Sequence, residues 1–280
     1  METPSSSRQI LSINAEIVRD ILVRFLRDGI HNPGFTKGVI GLSGGVDSAL
    51  VACLAAQALG KDNLRGILMP YKTSSPQSRA DAELIAAQLG IKTECVEITP
   101  MVDAYVAGIG KDEPVRAGNV MARVRMIILY DISSREDALV IGTSNKTETL
   151  LGYGTLHGDM ACAVNPLGDL YKTQVWQLAK SVGVPEGIVE KAPSADLWEG
   201  QSDEGEMGLR YTEVDKLLYW MVDERRTPEE LVAMGFDSDF VHAVSERIRK
   251  NQFKRLPPVV AKISHRTANV DFRYPRDWGI

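Results

Sequence analysis

Lys37-Gly38-Val39-Ile40-Gly41-Leu42-Ser43-Gly44-Gly45-Val46-Asp47-Ser48 is the stretch on which the reading of this chain turns. Its first half is a short apolar run behind one lysine, as a strand buried on both faces requires. From Ser48 to Leu59 the chain is rich in Ala and Leu and stops at Gly60, as a helix does. Between strand and helix, two adjacent glycines let the backbone turn its N–H groups inward, with no Cβ to hold an approaching group away. Those donors and the positive end of the helix dipole predict an anion site suited to phosphate. Ser43 and Ser48 are expected to add hydroxyl donors. Asp47 would repel phosphate unless a divalent cation with hard oxygen ligands lies between them. A Walker A loop needs Gly-Lys-Ser/Thr, and a dinucleotide fingerprint needs G-x-G-x-x-G. Neither this loop nor Gly152-Tyr153-Gly154 supplies them. A tight strand-to-helix turn with capping residues is the plainer reading, but five matched positions arise by chance at about 10⁻⁴ in such a length.

Working outward, the period repeats. Strands are predicted around Leu64–Met69, Thr93–Ile98 and Ala138–Gly142, and helices around Ala80–Leu89, closed by Gly90, and Asn119–Ile132. Upstream, Ile10, Ile13, Ile17, Ile21 and Phe25 recur at helical spacing and predict an amphipathic helix ending near Gly29. Strands alternating with helices in this way predict an α/β fold, a parallel sheet flanked by helices on both faces. Ligands of such sheets gather at the carboxyl ends of the strands, where Leu42 and Gly142 sit. Beyond residue 170 the pattern becomes helical, with Lys172–Val182, a helix opened by Thr227-Pro228-Glu229-Glu230, and Asp239–Lys250. Pro193–Gly208, rich in Gly, Ser, Asp and Glu, reads as a mobile loop. We therefore expect one domain over 1–280, with an α/β core at 36–170 and a mainly helical extension at 171–280.

The 280 residues are 44% hydrophobic and 25% charged, as in an ordinary globular protein, and the net charge of −5 argues against a general nucleic-acid binder. Residues 245–280 carry nine Lys/Arg against three Asp/Glu, which suggests a local anionic ligand or a neighbouring subunit; a solvated terminal helix is the plain alternative. Cys53, Cys95 and Cys162 are odd in number, far apart and without metal-ligand spacing, so they read as reduced core or near-core thiols. The polar opening Met1–Ser7 lacks the layout of a signal peptide, and no apolar run approaches the ~20 residues of a membrane span. A cytoplasmic protein is the expectation.

Ser-Gly-Gly-x-Asp-Ser after a strand resembles the pyrophosphate loop of the N-type ATP pyrophosphatases, which share an adenine nucleotide alpha-hydrolase-like fold and form an adenylated intermediate. Further segments resemble the NAD synthetase family within that group. They are Leu68-Met69-Pro70-Tyr71, Gly118–Met126, Gly142-Thr143-Ser144-Asn145-Lys146-Thr147-Glu148 leading to Gly158-Asp159, Asn165-Pro166-Leu167, Tyr171-Lys172-Thr173 and Pro193–Leu197. The resemblance runs from about residue 10 to Arg255.

That resemblance implies ATP as co-substrate, magnesium held by Asp47 and Glu148, and ATP contacts from Gly41, Leu42, Ser43, Gly44, Gly45, Val46, Asp47, Ser48, Thr143, Lys172 and Ser194. Thr143 and Ser194 serve equally as helix-cap or loop hydroxyls. Asp47, Lys172 and Asp159 would be catalytic, Lys172 neutralising the departing pyrophosphate and Asp159 helping to remove a proton from ammonia. Arg123 and Lys254 would contact deamido-NAD. Arg125, two residues from Arg123, points to a different face of the same helix. The family's lysine, later aspartate and histidine contacts are replaced by Leu156, Ala163 and Phe253 and are not carried over. His157 reads as a locally hydrogen-bonded loop histidine, with a ligand contact as the alternative, and Trp198 as able to pack over the site on closure or to stand idle. Glutamine use requires an amidotransferase domain for which these 280 residues leave no room, so free ammonia is the expected nitrogen donor, with an amidotransferase on another polypeptide as the alternative. A homodimer is implied, with no nucleic acid and no membrane. The rivals are another adenylating enzyme, such as one modifying tRNA, and a non-catalytic ATP-binding module.

Overall fold

Alternation along the strands separates two apolar layers. Val39 and Ile67 project to one face, while Ile40, Leu42, Leu64 and Leu68 project to the other. In the computed structural model, which describes residues 10–108, 113–194, 196–197 and 201–267, these side chains belong to a parallel sheet. Its strands are β1 (Lys37–Gly41), β2 (Leu64–Leu68), β3 (Lys92–Cys95) and β4 (Ala138–Val140), in the order β3-β2-β1-β4. The expected α/β class and the parallel sheet covered on both faces are present.

Helices α1 (Ala15–His31), α2 (Val46–Leu59) and α3 (Pro76–Leu89) cover the Ile40 face. Helices α4 (Thr99–Val106) and α5 (Pro114–Glu136) cover the Val39 face. α2 is buried along almost its whole length because α1 and a later helix, α7 (Lys172–Ser181), enclose it. That enclosure explains why its sequence is apolar all round rather than amphipathic. Between β4 and α7 lies the short α6 (Lys146–Leu151). α8 (Glu186–Val189), α9 (Asp203–Met207), α10 (Tyr211–Leu218), α11 (Pro228–Ala233) and α12 (Ser238–Lys250) follow. Leu151, Tyr171, Tyr211, Leu217, Leu231 and Val241 share a third apolar cluster that fixes these helices to α6 and to the start of α7.

Several expectations need correction. The isoleucine stripe of α1 does not face the core: Ile17 is 57% exposed and Ile21 58%, whereas Leu26 and Ile30 are buried. α1 carries two apolar ridges, and the periodicity alone does not say which one meets α2. α3 starts at Pro76, capped by the Ser75 hydroxyl accepting from the Gln77 N–H at 3.2 Å, earlier than the apolar pattern suggested. β3 ends at Cys95, and α4 was not foreseen. Cys95 is exposed rather than near-core, while Cys53 is buried. The Pro193–Gly208 segment contains α9, with Asp203 only 5% exposed. The Thr227–Glu230 capping box is present. Trp198 and residues 268–280 of the basic tail lie outside the described residues. Among those described, no helix is long and apolar enough to cross a membrane.

Candidate active site

The loop after β1 is held by its own side chains. The Ser43 N–H donates to the Ser48 hydroxyl at 3.3 Å, the Ser48 hydroxyl donates to the Gly45 carbonyl at 3.0 Å, and the Gly45 N–H donates to the Ser43 hydroxyl at 3.2 Å. The two hydroxyls lie 3.1 Å apart, and either can donate to the other. The serines therefore brace the turn while both line the cleft. What remains for a ligand is the N-terminus of α2, which has no side-chain cap and whose first-turn N–H groups have no helical acceptor. Gly44, at φ +78°, makes this turn possible: a Cβ there would stand 2.0 Å from the Ser78 carbonyl oxygen of α3.

Opposite that helix end, α6 presents a capping box. The Asn145 side chain accepts from the Glu148 N–H at 3.0 Å, and Glu148 Oε2 accepts from the Asn145 N–H at 3.2 Å. The same asparagine donates through Nδ2 to Asp47 Oδ1 at 3.0 Å, tying β4's exit to the loop after β1. Lys172, only 2% exposed, enters from the start of α7 and its ammonium contacts Asp47 Oδ2, with Glu148 Oε1 3.6 Å away. Buried Asp215 sets the entry angle. It accepts from the Thr147 hydroxyl at 2.6 Å and the Thr173 N–H at 2.8 Å, and Thr147 in turn accepts from the Lys172 N–H at 3.0 Å. An acid at this helix N-terminus also complements its dipole.

The other side of Lys172 is closed by residues the sequence did not single out. Its ammonium lies 5.4 Å from the centre of the Tyr211 ring. The Tyr211 hydroxyl donates to Asp203 Oδ2 at 3.3 Å, and the Tyr153 hydroxyl donates to Asp203 Oδ1 at 3.0 Å. Buried Asp203 thus faces Lys172 from the segment between α8 and α10. Lys191, also unforeseen, donates to the Ser78 hydroxyl at 3.1 Å and to Asp81 at 2.9 Å beside the loop.

Of these groups, Asp47, Glu148, Tyr153, Lys172, Lys191 and Asp203 line a cleft of about 1430 Å³ at the carboxyl ends of the strands. Of the residues predicted to contact ATP, all but Gly44 line it, Thr143 and Ser194 among them. Ser194 accepts the Asp196 N–H at 3.1 Å, so its hydroxyl also orders its own loop. Glu148, Asp159 and Lys254 line the cleft too, Lys254 donating to the Gly152 and Gly154 carbonyls at 2.7 and 2.8 Å. Arg123 does not: it is exposed on α5 and donates to the Leu156 carbonyl at 3.2 Å, while Arg125 forms part of the wall. His157 lies exposed outside that wall. A phosphate-binding helix end, an acid pair and a buried lysine at one strand switch point can bind a nucleotide triphosphate and stabilise charge moving off its phosphates.

A family model described as NAD synthase matches residues 18–258. The chain belongs to the NAD synthase family. It is 57% identical over 269 residues to an NH(3)-dependent NAD(+) synthetase of Trichlorobacter lovleyi, covering 96% of this chain and 98% of that protein. Among solved structures it resembles an NH3-dependent NAD synthetase from Campylobacter jejuni, at TM-score 0.77 and 33% identity over 90% of this chain and 100% of that one. It is also similar to an NMN synthetase from Francisella tularensis, at TM-score 0.79 and 32% identity over 89% and 99% of the two chains.

In this member of the NAD synthase family, the acid pair is short of positive charge. Burial, and then the neighbouring Asp47 carboxylate, push the Glu148 carboxyl up to about 8. Burial disfavours the Lys172 ammonium, but Asp47 and Glu148 outweigh it and hold its pKa above the ordinary lysine value. One lysine thus faces two carboxylates, with Asp203 adding to the local negative field. Asp47 and Glu148 suit a hard divalent cation. Among the described residues no group of three His, Cys, Asp or Glu side chains forms a cage, so such an ion would complete its shell with water and ligand oxygens, which is magnesium's habit.

Proposed function

We propose that this chain makes NAD by amidating deamido-NAD with ammonia, using ATP and releasing AMP and pyrophosphate. The observation that carries the reading is the union of Asp47, Glu148 and Lys172 with the uncapped start of α2 in one cleft, in a chain aligned along nearly its whole length with ammonia-dependent relatives. In the first step the nicotinate carboxylate attacks the α-phosphorus, the bond to the β,γ-pyrophosphate breaks, and an acyl-adenylate forms. The α2 N–H groups orient the phosphates, and Lys172 balances the charge that gathers on the departing oxygens. Magnesium held by Asp47 and Glu148 would supply electrostatic stabilisation of the same charge.

In the second step ammonia attacks the acyl carbon and AMP leaves. Asp159 is exposed and opens to the cleft, whose walls desolvate its carboxyl and raise it above the usual carboxylate range; the Thr155 N–H donates to it at 2.8 Å. A more basic carboxylate suits removal of a proton from the attacking nitrogen. Lys254 lies on the same side and would hold the dinucleotide. Arg123 shares a face of α5 with exposed Ile127 and Tyr130, so its contact with deamido-NAD fits a homodimer joined along that helix.

Magnesium affinity tests the acid pair. Below a pH of about 8 Glu148 keeps a proton that the ion must displace. The Mg2+ dissociation constant should therefore fall about tenfold per pH unit between roughly 6 and 8 and level off above that. Calorimetric titration across pH 6 to 9 reads it, and a pH-independent affinity would contradict the pair's role. The functional reading itself is tested by incubating the chain with ATP, magnesium, ammonium and deamido-NAD. NAD, AMP and pyrophosphate should appear in equal amounts, with little turnover when glutamine replaces ammonium. Because one similar structure is an NMN synthetase, a parallel reaction replaces deamido-NAD with nicotinate mononucleotide, which should react poorly. Absence of all three products refutes the proposal.

A further inference from the structure

Arg125 is a half-buried cation with no partner ion among the described residues. It stands in the part of α5 that walls the cleft, and its Nε donates to the Met69 carbonyl, just past the end of β2, at 3.2 Å. That bond anchors the guanidinium by one edge. Among the described residues its two terminal nitrogens have no hydrogen-bond partner and it forms no ion pair. The acids whose charge acts on it, Asp196 and Asp159, are not bonded to it. Burial disfavours its charge, yet a guanidinium does not deprotonate in proteins. A permanently charged fork that lines the cleft with its terminal nitrogens open suits an anionic ligand.

Position and shape narrow the choice of anion. The triphosphate is already provided for on the β1 and β4 side, by the start of α2 and Lys172. Arg125 is anchored by β2 and acts electrostatically on Asp159, the carboxylate read above as serving amide formation. Its planar pair of terminal nitrogens matches a planar carboxylate with two parallel hydrogen bonds. We propose that Arg125 is a specificity-determining residue that pairs with the reacting carboxylate of the acid substrate and thereby separates acid from amide. This rests on the amidation reading under Proposed function. The carboxylate is charged and the amide product is neutral, so the same residue that holds the substrate releases the product. Attack on phosphorus uses one carboxylate oxygen, and Arg125 would hold the carboxylate in position for that attack.

The test is the ratio of two dissociation constants, for deamido-NAD and for NAD, measured by calorimetry without ATP on the wild type, Arg125→Met and Arg125→Lys. The wild type should prefer the acid by about tenfold or more. Arg125→Met should bring that ratio close to one, with affinities for NAD and ATP changed by less than about twofold, and Arg125→Lys should fall between. Both ligands are titrated into the same sample, so a partly unfolded variant lowers both apparent capacities and leaves the ratio intact. If Arg125→Met does not fold, Arg125→Lys alone must lower the ratio. A wild type without preference, a variant that keeps it, or a variant that loses ATP affinity instead overturns the assignment. Failure of the wild type to form NAD is a separate result, and it would overturn the amidation reading itself.

Discussion

Replacing Lys172 with methionine lowers turnover by about 10³-fold and destabilises the fold by about 3–5 kcal/mol. Both effects come from one placement. The ammonium is buried, contacts Asp47, lies 3.6 Å from Glu148 and faces Asp203 across the Tyr211 ring. Methionine keeps the reach of the side chain and removes its charge, leaving three enclosed carboxyl groups without a counter-ion. Glu148 and Asp203, whose carboxyls burial already raises, then take up protons more readily, so the stability loss should shrink as pH falls and they become neutral. Denaturant unfolding at pH 5 and pH 8 reads the stability effect, and pyrophosphate release reads the catalytic one. Wild-type stability at pH 8 would mean that Lys172 is not the counter-charge described here.

Gly44→Ala should lower ATP affinity by about 100-fold or more, since the helix end that meets the phosphates would move by about an ångström. The added Cβ would stand 2.0 Å from the Ser78 carbonyl oxygen and 2.8 Å from its carbon, both backbone atoms near the start of α3. Ser78 cannot easily retreat, because Lys191 holds its hydroxyl at 3.1 Å. The left-handed backbone at φ +78° adds about 1–2 kcal/mol for any residue with a Cβ. Gly45→Ala is the internal control. Its Cβ meets only the Ser43 hydroxyl at 3.3 Å, a contact relieved by a side-chain shift of a few tenths of an ångström, and its φ of −92° is open to alanine. Equal ATP affinities for the two variants, measured by calorimetry, would show that the Gly44 turn does not set the phosphate site.

The strand-loop-helix unit was legible because its signals are local. An apolar run, two glycines and an alanine-rich helix occupy consecutive residues, and the structure joins them in the same order. Asp47 was legible within the loop itself, but Glu148 and Lys172 were legible only through resemblance, since they stand about 100 and 125 residues from Asp47 and reach it through tertiary packing. Asn145 carried a readable sign that went unused: Asn-x-x-Glu is a capping-box pattern, and it fixes Glu148 at the start of α6. Asp203 had no such sign. Its polar, glycine-bearing surroundings match those of a solvated loop, and its burial depends on Tyr153 and Tyr211 reaching it from elsewhere. The two arginines of α5 show the same limit. Spacing says that Arg123 and Arg125 point apart, but only the packing of α5 on the sheet decides which one lines the cleft.

Activation of a carboxylate by adenylation is the chemistry we propose for this cleft. Deamido-NAD labelled with ¹⁸O in its nicotinate carboxylate, turned over with ATP, magnesium and ammonium, tests it most directly by mass spectrometry of the products. Adenylation transfers one labelled oxygen to the phosphate of AMP and none to pyrophosphate. AMP without label, or label in inorganic phosphate formed together with ADP, would contradict it.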